Sequence, residues 1–169
     1  MASTLRTVGY NAKPRNPVYS TGKKMLTVLA SCLFDISEAA DGDLYILAGG
    51  LSLASRVDSI RVRTLFDAAA AADNDIGFYK KVGSTFVALD ADILVDGLDL
   101  TTGSGVAAGY DLLSANTSLD RTKNIGELLS LNTDGGIDEI FVGLLVKTKE
   151  TTADKTLALD VVIEEATTN

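Results

Sequence analysis

The chain alternates apolar and polar residues at period two over most of its length, the spacing of half-buried β-strands. Met25 to Phe34 is a short apolar run closed by Asp35. Ala40-Asp41-Gly42-Asp43 carries turn residues, and Leu44 and Ile46 then alternate with Asp43 and Tyr45 up to Gly49-Gly50. Val57 to Phe66 sets Ile60, Val62, Thr64 and Phe66 on one face and Arg61 and Arg63 on the other, where cross-strand ion pairs or a contact with another subunit are expected. Ala68 to Ala72 fits one helical turn or a packed loop. Ile76, Phe78, Lys80 and Val82 alternate with Gly77, Tyr79 and Lys81, and Gly83-Ser84 turns the chain. Beyond it, Val87, Leu89, Ala91, Ile93 and Val95 predict an apolar face opposite Asp90, Asp92 and Asp96.

Residues 101–109 are rich in Gly, Ser and Thr and predict a loop. Asn124 to Leu131 predicts the one helix, of two or three turns at most: Asn124 and Glu127 have capping-box spacing, and Gly126 weakens it. After an Asp134-Gly135-Gly136 turn, Ile140, Val142, Leu144 and Val146 mark one strand. Leu157, Leu159, Val161 and Ile163 mark another, with residues 147–155 joining the two as a hairpin. Seven or eight strands and one short helix predict a mainly β fold, an antiparallel β-sandwich or jelly roll, with an extended N-terminal arm. Residues 1–24 form that arm and 25–169 the body. The arm holds both prolines, Pro14 and Pro17, which favour extended backbone.

Charge sharpens this division. Residues 1–34 hold Arg6, Lys13, Arg15, Lys23 and Lys24 and no acid, whereas residues 35–169 hold the other 10 basic residues and all 23 acidic ones, a net of −13. The basic arm is therefore the expected partner-binding element, through Arg6, Tyr10, Lys13, Arg15, Tyr19, Lys23 and Lys24. Its aromatic and aliphatic side chains, with Val8 and Val18, supply anchors for ordering on a partner. The acidic body repels nucleic acid and anionic membranes, so neither is an expected partner. No stretch reaches the length of apolar residues that spans a bilayer.

The chemistry of the side chains points away from catalysis. Histidine is absent, which removes the usual general base, the usual catalytic triad and the commonest metal ligand. Gly103-Ser104-Gly105 with Gly109 has the wrong spacing for a dinucleotide fingerprint. Asp90, Asp92, Asp96 and Asp99 read as a solvated acidic face, with a weak Ca²⁺ site at the Asp96-Gly97 turn as the alternative. No catalytic residue, cofactor or metal site is assigned. Cys32, the one cysteine, reads as a small core residue. Its Leu29-Ala30-Ser31-Cys32 context also fits a lipoprotein signal, though the apolar stretch before it is short.

Thr122 to Leu131, Asp134-Gly135-Gly136-Ile137-Asp138, the closing strand Ala158 to Glu164, and the earlier Asp41-Gly42-Asp43-Leu44-Tyr45 with Gly49 together resemble small virion structural proteins of tailed bacteriophages. The resemblance spans residues 40–165 and is one of composition and order. It implies a capsid decoration, cement or fibre-associated role in the virion, assembled in the host cytoplasm. The partner it implies is the major capsid protein or another virion protein. Strand-rich chains with exposed edges also favour a homo-oligomer, here expected as a trimer. The alternatives are a tail or head-fibre module that binds a host receptor through a loop within residues 101–118, a lipid-anchored β-domain, and an enzyme working with carboxylates alone.

Overall fold

A computed structural model describes residues 5–6, 17–19, 25–35, 39–62, 73–99, 110–131, 139–149 and 156–164. Nine strands are described: β1 (Leu5–Arg6), β2 (Pro17–Tyr19), β3 (Met25–Asp35), β4 (Leu44–Leu51), β5 (Arg56–Val62), β6 (Asp73–Val82), β7 (Thr85–Asp99), β8 (Ile140–Thr148) and β9 (Thr156–Glu164). They form two sheets, ordered β1-β4-β8-β6-β7 and β2-β3-β9-β5. All pairings are antiparallel except β1 with β4, which is parallel.

The pairing is nested. β3 pairs with β9 and β4 with β8, while β6 and β7 form the innermost hairpin. β5 completes the set by bridging residues 110–111: Arg61 pairs with Asp111, and the Val62 amide donates to the Tyr110 carbonyl at 3.0 Å. First with last, second with second-last, and so inward is the wrapping of a jelly roll. The expected hairpin between the last two strands does not form. β8 lies in one sheet and β9 in the other.

The inner faces close one core. β8 delivers Ile140, Val142, Leu144 and Val146, all fully buried, as its alternation predicts. Leu159, Val161 and Ile163 of β9 meet them from the other sheet, with Val57, Ile60 and Val62 of β5. Tyr45, Leu47, Ala48 and Leu51 are the core residues of β4. Leu44 and Ile46, which the pattern assigned to the apolar face, point outward instead. They join Tyr79, Phe86, Ala91, Phe141 and Leu145 in a second cluster on the outside of the five-stranded sheet. Phe86 meets Phe141 edge to face at 4.8 Å between centroids, and the Tyr79 ring lies over Gly143, where a Cβ would stand 2.8 Å from it.

β7 departs most from its sequence pattern. Between Ile76 and Phe78 β6 advances two residues while β7 advances five, from Val95 to Asp90, and two further irregularities flank this one. A bulge shifts the phase of every side chain beyond it. The predicted apolar row is therefore split: Val95 enters the core and Leu89 and Ile93 pack against it, Ala91 joins the outer cluster, and Val87 is left exposed, while Leu94 and Leu98, outside the predicted row, are buried in the core. The acids follow the same break and form no continuous face.

The helix is shorter than its pattern. Asn124 caps it and Glu127 answers back, both at 2.8 Å, as the capping box requires. Only Ile125–Leu128 is α-helical, because Ser130 takes φ +53° and the Leu131 amide reaches back to Gly126 at 2.8 Å. That is a Schellman ending with serine in place of glycine. The Ala68–Ala72 run, the 101–109 loop and the Asp134–Gly136 turn lie outside the described residues.

Candidate functional site

Of the expected arm residues, the structure places two. Arg6 lies on β1, paired with Tyr45 at the margin of the five-stranded sheet. Tyr19 lies on β2, paired with Met25 at the margin of the other sheet. Tyr10, Lys13, Arg15, Lys23 and Lys24 lie outside the described residues. The two described pieces of the arm thus run along edges of both sheets, where unpaired backbone groups would otherwise attract foreign strands.

β3 is one continuous strand whose pairing with β9 runs from Leu26–Glu164 to Asp35–Thr156, with Cys32 opposite Leu159. Cleavage before Cys32, which lipid attachment requires, would remove most of an interior strand. This counts against the lipid-anchored alternative. No helix among the described residues is long and apolar enough to cross a membrane.

The carboxylates act as local ties. Asp111 Oδ1 accepts from the Ile60 and Leu113 amides at 3.1 and 3.2 Å, and its Oδ2 accepts from Arg121 at 2.8 Å. Arg121 also donates to the Asp58 carbonyl. Asn116 donates to the Ile93 carbonyl at 3.0 Å. The described half of the expected receptor loop, residues 110–118, is therefore fastened to β5 and β7. A cross-strand ion pair joins Arg56 and Glu164. Arg61, where pairing was expected, stands across from Asp160, and Arg63 lies outside the described residues.

The Asp96-Gly97 turn, the alternative cation site, already holds an ammonium group. Lys147 on β8 lies 2.9 Å from the buried Asp75 and 3.5 Å from Asp96, while Asp75 also accepts from the Gly97 amide at 3.0 Å. Among the described residues no three carboxylates, Cys or His converge as metal ligands. The cluster therefore works as a clasp between β6, β7 and β8.

Lys147 and, near Asp75, Tyr79 hold their protons more tightly in the fold. The hydrogen bond to Asp75 raises the pKa of Lys147. Burial, then the charges of Asp75 and Asp92, pushes the Tyr79 phenol up to about 12. A proton held more tightly in the folded state favours folding fully below the unfolded pKa, about 10 for both groups. That contribution is lost as the pH climbs through the folded values. Urea midpoints measured from pH 7 to 12 are expected to fall above pH about 10. Tyr79→Phe should make that fall shallower without lowering stability at pH 7, since the Tyr79 hydroxyl has no hydrogen-bond partner. An unchanged alkaline slope would refute the assignment.

Sequence reasoning read Gly83-Ser84 as a turn but missed what the turn carries. The β6–β7 ribbon runs past the sheet and presents Lys80, Lys81, Val82 and Val87 near its tip. The available signal was a lysine pair and two valines beside a two-residue turn in an otherwise acidic body.

No protein-family model matches the chain, and no curated protein matches its sequence. Among solved structures, a chain of the capsid of Ralstonia phage GP4 superposes with a TM-score of 0.56 and 19% identity, covering 98% of this chain and 100% of that one. The chain thus shares, over nearly its whole length, the fold of a chain from a phage capsid.

Proposed function

We propose that the protein is a non-enzymatic structural component of a tailed-phage virion, a capsid decoration or cement protein that docks through its basic N-terminal arm. The observation that carries this reading is the end-to-end match in fold to a chain of a phage capsid. The charge division supports the arm as the docking element: five basic residues and no acid in residues 1–34 precede a body of net −13. A basic arm is attracted to an acidic lattice surface, while the acidic body faces water and resists non-specific association. Many weak attachments on one lattice give strong overall retention.

The test is binding of the purified chain to particles that lack it. Deleting residues 1–24 should abolish particle binding and leave a folded body. Because β1 and β2 also border the body's sheets, a second variant exchanges Arg6, Lys13, Arg15, Lys23 and Lys24 for glutamine and leaves the backbone pairing in place. It should bind at least about tenfold more weakly, the loss of about 1.4 kcal/mol. Undiminished binding by the glutamine variant would overturn docking through the arm. Absence of the chain from purified particles by quantitative mass spectrometry would overturn the virion reading itself.

A further inference from the structure

β7 is the edge of the five-stranded sheet, and its two halves are finished differently. From Asp90 onward the edge is blocked. Asp90 and Asp92 bring charge, the bulges break the ladder, and the Asn116 amide donates to the Ile93 and Leu94 carbonyls at 3.0 and 3.3 Å. Charge and irregularity are the devices by which natural sheets close their edges. Residues 85–89 have none of them. Thr85-Phe86-Val87-Ala88-Leu89 carries no charge and no proline. Its pairing with β6 runs unbroken from Val82–Thr85 to Tyr79–Ala88, and Thr85, Val87 and Ala88 are exposed.

The hairpin fixes which backbone groups this edge offers. The turn Gly83-Ser84 closes on Val82 and Thr85, so those two exchange both of their backbone bonds. Bonded and non-bonded pairs alternate from there. Lys80–Val87 is therefore a bonded pair, whereas Lys81–Phe86 and Tyr79–Ala88 are not. Phe86 and Ala88 thus aim their N–H and C=O groups away from β6. Outward groups on either side of Val87 are what an antiparallel copy of the same strand matches. About a two-fold axis through Val87, Phe86 faces the partner's Ala88 and Ala88 faces the partner's Phe86, and each pair exchanges both bonds.

The side chains agree with that register. Val82 and Val87 share one face of the ribbon, the face that Phe78 turns to the core. They are 51% and 44% exposed, the large apolar side chains left open among the described residues. The axis sets Val87 against its own copy and covers the side chain that one molecule leaves open. Lys80 lies on the same face but one strand further from the axis. It would stand about 14 Å from its copy, three strand spacings. That is beyond the screening length of about 8 Å at physiological salt, so charge does not oppose the pairing.

We infer that two copies of the chain join by antiparallel backbone pairing of residues 85–89 about a two-fold axis at Val87, which makes one continuous sheet of their two five-stranded sheets. This differs from the trimer that the sequence suggested, and it is independent of the docking of the arm.

The experiment is light scattering of the purified full-length chain over a concentration series. The unaltered chain should approach twice the 17.7 kDa protomer mass. Ala88→Pro removes an N–H that points away from β6, so it should stay folded by circular dichroism and remain monomeric. Val87→Lys and Val87→Glu each set like charges face to face at the axis and should also remain monomeric. Mixed in equal amounts, those two should return to the dimer mass, because opposite charges then meet. Val87→Cys should form a disulfide between copies on oxidation, whereas Val82→Cys, away from the axis, should not. A monomeric or trimeric unaltered chain, a dimer that survives Ala88→Pro, or a lysine–glutamate mixture that stays monomeric would each overturn the inference. So would a chain that is monomeric alone and loses particle binding on Ala88→Pro, which would put a strand of another virion protein at this edge.

Discussion

Replacing Gly77 by alanine is expected to destabilise the protein by at least about 3 kcal/mol, the upper range for overpacking a filled interior. Gly77 sits on β6 between Ile76 and Phe78, both fully buried in the core, so its missing side chain faces the outside of the sheet. There the bulged stretch of β7 folds across it. A Cβ would fall on the Asp90 carbonyl and the Ala91 backbone, well inside contact distance. Backbone cannot swing aside as a long side chain can, so the bulge must lift, and Leu94 and Val95 move with it. Gly83→Ala is the control. It has open space and pays only for its φ of +63°, about 1–2 kcal/mol. Urea unfolding of both variants measures the contrast, and a Gly77→Ala protein within 1 kcal/mol of the parent would refute the close crossing.

Asp111→Ala is the second large effect, expected at about 3 kcal/mol from the hydrogen bonds of a charged group. One carboxylate satisfies the Ile60 and Leu113 amides and pairs with Arg121, so its loss strands a donor beside the core. It also detaches residues 110–111 from β5, the fourth pair of the nested set, above Leu112 and Leu113, which are buried in the core. Asp111→Asn keeps an acceptor for the two amides and gives up only the charge opposite Arg121, at 2.8 Å on the surface. It should cost roughly 1 kcal/mol or less. Equal losses in the two variants would show that the charge, rather than the amide contacts, holds this segment.

Much of the fold was legible along the chain because some signals are local. The alternation of Ile140, Val142, Leu144 and Val146 states which side of a strand is apolar, and that side is the core. The Asn124–Glu127 box needs only its own four residues. The glycine turns at Gly42 and Gly83 express backbone freedom that other residues lack. The charge division between arm and body is likewise a property of sequence alone.

What a strand pairs with is a different kind of fact. Period two reports faces and not neighbours, so β8 and β9 read as a hairpin although they belong to separate sheets. Leu44 and Ile46 looked like core because a second apolar cluster on the outer face produces the same pattern. β7 carried a clean alternation that its bulges cut into pieces, since a bulge is set by packing across the sheet and leaves no period of its own. Lys147 met Asp75 and Asp96 only because β8 lies beside β6. Sequence by itself determined the strands, the turns, the cap and the distribution of charge, because each depends on neighbouring residues. Tertiary structure alone decided the jelly-roll pairing, the clasp at Lys147 and the exposed ribbon tip, because each depends on which distant strands share a sheet and where one of them ends.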